Sequence, residues 1–158
     1  MATGLENQLT KQIGESLVVS ELGRHGFIAT SFTGNVPNID ILAMEESGRT
    51  FAVQVKAIRG PSWQFDIRTF LHVKLAEDTQ IILGKNKEFD RKRMCIFVEI
   101  SENSQDNYYI FQWGYLQDYF YKSYKGGKRP KNPTSFHCAI WPKDLQRYKN
   151  NWELLNKK

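Results

Sequence analysis

Hydrophobic and polar positions change period several times along this chain. Over residues 6–24, Leu9, Ile13, Leu17 and Leu22 recur at helical spacing, with Val18 and Val19 beside them. That spacing predicts an amphipathic helix that stops at Gly26, with Glu15 at the edge of its apolar stripe. A short apolar run follows at 27–32, and then the period drops to two. Residues 38–44 and 50–58 alternate in polarity and are rich in Ile, Val and Phe, and the Glu-Glu-Ser-Gly-Arg segment between them carries turn chemistry. Together they predict a β-hairpin. Pairing Asp40 with Gln54 leaves Leu42 opposite Ala52 and gathers Asp40, Gln54 and Lys56 on one face. A slip of one residue sends Asp40 elsewhere.

The remainder reads more simply. Residues 69–75 and 80–84 alternate like strands, although part of this region also suits a helix, and 85–93 is a charged connector. The nearly continuous apolar run 94–100 predicts a central buried strand, paired as a hairpin with 108–113. A helix is expected over 114–124, a last strand over 135–141, and a closing helix over 143–155 with Pro142 in its first turn. No repeat, low-complexity tract or long linker divides the chain. The expectation is a single α/β domain spanning 1–158, a sandwich with a central mixed β-sheet flanked by helices.

Composition narrows the function classes. At 158 residues, with 41% hydrophobic and 25% charged positions, the chain can bury a real core. The formal charge of +5 suits a polyanionic partner. Cys95 and Cys138 sit in apolar runs and read as buried thiols, and no Cys/His spacing suggests zinc. No stretch approaches membrane-spanning length, so the expected partners exclude a membrane and the expected location is cytoplasmic. The richest basic cluster is Lys122, Lys125, Lys128, Arg129 and Lys131, interleaved with Tyr, Gly and Pro. It reads equally well as a solvated loop or as a track for a phosphate backbone.

Taken alone, Asp40 and Lys56 would be the solvated face of a hairpin. The order of elements changes that reading. A helix bearing Glu15 precedes the Gly26-Phe27 pair, and Asp40 and then Gln54-Val55-Lys56 follow on paired strands. Over residues 6–60 this resembles the PD-(D/E)xK nuclease superfamily, in particular the Holliday-junction resolvases and other restriction-endonuclease-like proteins. Two features depart from the family pattern. Pro37 stands three residues before Asp40 rather than beside it, and Gln54 replaces the usual acid, which removes one negative charge from the site.

The resemblance implies metal-dependent hydrolysis of phosphodiester bonds in DNA. Mg²⁺ or Mn²⁺ would be held by Glu15, Asp40, the Gln54 amide oxygen and the Val55 carbonyl. Lys56 would orient the water and stabilise charge on phosphorus. Arg59 and the five cations from Lys122 to Lys131 are the substrate-binding candidates, and a homodimer would match the two strands of a duplex. The competing expectation is an inactive or weakly active member of the same fold that binds nucleic acid or a protein.

Overall fold

The computed structural model describes residues 3–34, 36–124 and 132–157. The element order is α1 (Gly4–Arg24), β1 (Ile28–Ser31), β2 (Ile41–Met44), β3 (Thr50–Ile58), β4 (Trp63–Asp66), β5 (Leu71–Ala76), β6 (Thr79–Lys85), β7 (Met94–Glu99), β8 (Asn107–Gln112), α2 (Trp113–Tyr124) and β9 (His137–Ile140). Short 3-10 helices lie at Ile67–Thr69, Pro142–Tyr148 and Trp152–Asn156. The fold is mixed α/β. Its residues form two compact units, one of Met1–Trp63, Arg93–Phe111 and Trp141–Lys158, the other of Gln64–Lys92 and Gln112–Ile140.

The first unit is built on a five-stranded mixed sheet ordered β1-β2-β3-β7-β8. β2 pairs antiparallel with both β1 and β3, and Leu42 lies opposite Ala52 as the alternation predicts. β3 and β7 are parallel. That pairing accounts for the unbroken apolar run of β7: Cys95, Ile96, Phe97 and Val98 are all fully buried, as expected of a strand covered on both faces. One side of the sheet packs Val53, Val55, Ile41, Ile96, Val98 and Ile110 with Val18 and Leu22 of α1. Elsewhere in the unit Trp63, Phe97, Tyr109, Phe111 and Tyr148 pack ring against ring.

α1 begins two residues earlier than the spacing predicts. Thr3 caps it, and its hydroxyl accepts from the Glu6 N–H while the Glu6 carboxylate accepts from the Thr3 N–H. Its core line keeps Val18 and Leu22 of the predicted stripe and adds Gly14. Gly14, Val18 and Leu22 are the buried positions, whereas Leu9 is 45% exposed. The line chosen is the one containing a glycine, because only a residue without a side chain lets the helix axis approach β3 this closely. The closing helix breaks into two 3-10 segments. Asn150 takes a positive φ of 54°, and its N–H leaves the helical pattern to donate to the Tyr108 carbonyl.

The second unit holds the β5–β6 hairpin, the β4–β9 pair and α2. Phe70 stacks on Phe120 and packs against Trp113. The fully buried Gln117 amide donates to the Asn86 carbonyl at 2.6 Å and its oxygen accepts from Arg91, so this polar group enters the core with its partners. Cys95 and Cys138 are buried free thiols, and desolvation raises the Cys95 pKa well above the usual range. No helix among the described residues is long and apolar enough to cross a membrane.

Candidate active site

Gly14 fixes where α1 meets the sheet. A Cβ built on it would stand 2.4 Å from the Ala57 Cβ and 3.8 Å from Val55 Cγ1. Val55 and Ala57 therefore face the helix, and by strand alternation Gln54 and Lys56 face away from it. Glu15 is the next residue after this contact. It sits one position from the buried line of α1, not at the outer edge of the predicted stripe, and its side chain is only 20% exposed.

Asp40 reaches the same place from the sheet. β2 begins at Ile41, so Asp40 lies just before it, where the ladder fails. The Asp40 N–H donates at 3.0 Å to the Val53 carbonyl, although Val53 already stands opposite Ile41. The side chain takes over from the backbone, and Asp40 Oδ2 accepts from the Val55 N–H at 2.8 Å. Strand N–H groups point within the plane of the sheet. A carboxylate that accepts from one lies in that plane, at the rim where β2 ends and β3 runs on.

This corrects the expectation that Asp40 shares a face with Gln54 and Lys56. The β2–β3 register itself is the predicted one, and the departure is local to Asp40, whose N–H bonds to the Val53 carbonyl and whose carboxylate lines a pocket with Glu15. The loop before Asp40 is held at Asn38. Asn38 adopts a left-handed conformation, φ 62°, and its carbonyl accepts from the Arg93 guanidinium at the start of β7.

Glu15 and Asp40 line one small pocket of about 50 Å³, together with Lys11, Phe32, Gly34, Val36 and Ile39. Burial raises the Glu15 pKa above its ordinary value, and the negative charge of Asp40 raises it further. Lys11 and, more weakly, Lys56 pull it back down. The negative charge of Asp40 makes Glu15 costlier to ionise, and a positive charge beside the two would relieve that cost.

The other expected residues are distributed differently. Gln54 is buried, 6% exposed, on the face away from α1, with Cys95 of β7 beside it in the sheet. Lys56 is exposed on that same face, and its backbone carbonyl accepts from the Trp63 indole N–H. Arg59 lies just beyond the end of β3, paired at 3.8 Å with Glu102. Lys122 is exposed in the last turn of α2, in the second unit. Lys125, Lys128, Arg129 and Lys131 lie outside the described residues. No group of three or more His, Cys, Asp or Glu side chains able to hold a metal occurs among the described residues.

Sequence reasoning passed over two residues. Lys11 stands one helical turn before Glu15, a spacing that was legible. Arg93 sits 55 residues from Asn38 and carried no local signal.

No family model and no curated protein matches this sequence. Among solved structures, the chain is similar to a bacterial homing endonuclease, I-Ssp6803I, over 94% of its own length and 91% of that protein's, with a TM-score of 0.53 and 14% sequence identity. At that identity the likeness is one of fold, and the fold of this chain is a mixed α/β, nuclease-like one.

Proposed function

We propose that the protein is a metal-dependent endonuclease that hydrolyses phosphodiester bonds in DNA, as a variant PD-(D/E)xK enzyme with Gln54-Val55-Lys56 as its third element. The observation that carries this reading is the convergence of Glu15 and Asp40, from a helix and a strand rim, on one pocket. Mg²⁺ is characteristically bound through one or two carboxylates, with waters and substrate phosphate completing its shell, so two acids are a sufficient protein share. Asp40 Oδ2 is engaged by the Val55 N–H, which leaves the other oxygen for a cation. When bound, Mg²⁺ or Mn²⁺ would supply Lewis acidity at the phosphoryl oxygens and a more acidic water.

The chain's own groups have distinct parts in this reading. Asp40, held by Val55, presents a fixed carboxylate. Glu15 brings the second negative charge from α1. Lys56, on the other face of β3, acts on the pocket at a distance, through the pull of its positive charge on Glu15. The Val55 carbonyl is a further oxygen beside Asp40. Gln54, buried on the other face of β3, is left out of the ligand set and has its part in the sheet. The likeness to a homing endonuclease supports DNA as the substrate.

The test is cleavage of duplex and branched DNA with Mg²⁺, with Mn²⁺ and with EDTA, alongside thermal melts under the same conditions. Metal-stimulated product is expected, together with a metal-induced rise in melting temperature that Glu15→Gln abolishes. Absence of both would overturn the reading. The alternative, a nucleic-acid-binding module without catalysis, is favoured by Gln54 in place of an acid. Such a module would retain DNA in EDTA and give no product with either metal.

A further inference from the structure

We infer that Lys11 is a phosphate-binding residue of the acid pocket, contacting a non-bridging oxygen of the DNA strand that lies across Glu15 and Asp40. The inference rests on the nuclease reading and adds a substrate contact to it.

Lys11 lines the pocket with both acids and stands on α1 one turn before Glu15, with its Nζ 3.9 Å from Glu15 Oε1. Helix stability does not account for it. A Lys placed four residues before a Glu is the weaker orientation of such a pair. The Lys11 side chain is 60% exposed, and a solvent-screened pair at this distance holds it weakly. The ammonium group is held loosely and can turn to another anion at little cost. A polyanion approaching two carboxylates meets repulsion, and a cation at the pocket rim lowers that barrier. Lys56 stands on the face of β3 away from α1, so Lys11 is the lysine that lines this pocket. Phe32, Gly34, Val36 and Ile39 complete the lining of this pocket.

The experiment measures binding of the full-length protein to a duplex in EDTA and in Mg²⁺ across a salt series, for wild type, Lys11→Met and Lys11→Arg. Methionine keeps the apolar stem and removes the charge, and arginine keeps the charge. Lys11→Met is expected to bind every sequence more weakly and to lower the slope of log affinity against log salt by about one. Lys11→Arg is expected to keep the wild-type slope. In cleavage assays Lys11→Met raises KM more than it lowers kcat. A wild-type slope in Lys11→Met overturns the inference, as does a change confined to the titration of Glu15, which would make Lys11 only a partner of that acid. Because slopes are read without turnover, an inactive wild type would sink the catalytic reading while the Lys11 slope still decides this one. A wild type that binds no DNA would sink both.

Discussion

Gly14 and Ala57 meet so closely that a methyl group on Gly14 would stand 2.4 Å from the Ala57 Cβ, a separation that real side chains do not tolerate. Neither partner can yield by rotation, since the obstacle is a Cβ fixed to the β3 backbone. Gly14→Ala must push α1 away from the sheet, and overpacking of this kind costs about 1–3 kcal/mol. The expected result is a lower urea midpoint with an unchanged m-value, partly restored in the double variant Gly14→Ala/Ala57→Gly. If the two substitutions simply add, the contact does not set the helix position.

Asp40 has a structural and a chemical part, and two substitutions separate them. Asp40→Asn keeps an oxygen that accepts from the Val55 N–H, so it is expected to stay close to wild type in stability while losing metal-stimulated cleavage. Asp40→Ala leaves that N–H without its partner at a buried residue. The cost of a lost hydrogen bond to a charged group is about 1.5–3 kcal/mol. Chemical denaturation of both variants beside cleavage assays checks this. Equal stability of the two would mean that the Val55 contact contributes nothing.

How much of this was legible beforehand follows from which residues speak locally. The hairpin register was written in the alternation of β2 and β3, because burying Ile41 and Val53 on one side fixes Leu42 against Ala52. The buried strand β7 was equally plain. The placement of Asp40 was not, since it depends on Arg93, which folds back from β7 onto the Asn38 carbonyl. The helix face was legible in part. Val18 and Leu22 of the predicted stripe are buried, but the line they belong to runs through Gly14, which allows the closer approach, and Leu9 is left exposed. Glu15 was legible as a candidate only through its order relative to Asp40, and its desolvation became visible once the buried face was known.

The pH dependence of stability follows from Glu15. Its pKa in the folded protein is raised above the ordinary value of 4.5 by burial and by Asp40. A raised acid favours the folded state while protonated, so its contribution is complete below pH 4.5 and is lost as pH rises through the folded value. Glu15→Gln cannot ionise and escapes this loss. Relative to wild type, its urea midpoint is expected to rise with pH from about 4.5 upward and then level off. A difference that stays constant between pH 4 and pH 8 would mean that the Glu15 pKa is not raised in the folded protein.

Asn38 and Arg93 together hold the loop that delivers Asp40. Asn38 occupies the left-handed region at φ 62°, which Gly enters freely, Asn tolerates and a β-branched residue resists. Asn38→Gly is therefore expected to be nearly neutral in stability, and Asn38→Val to cost about 1–2 kcal/mol. Arg93→Met removes the guanidinium that donates to the Asn38 carbonyl while keeping an apolar stem. Without it the Asp40 carboxylate loses its fixed bearing on the pocket, so in the nuclease reading kcat falls at nearly unchanged KM. Arg93→Lys retains a donor and recovers part of the rate. If Arg93→Met instead raises KM and flattens the salt dependence of DNA binding by about one unit, Arg93 is itself a phosphate contact, and Asp40 is held by its hydrogen bonds to Val53, Val55 and Phe32.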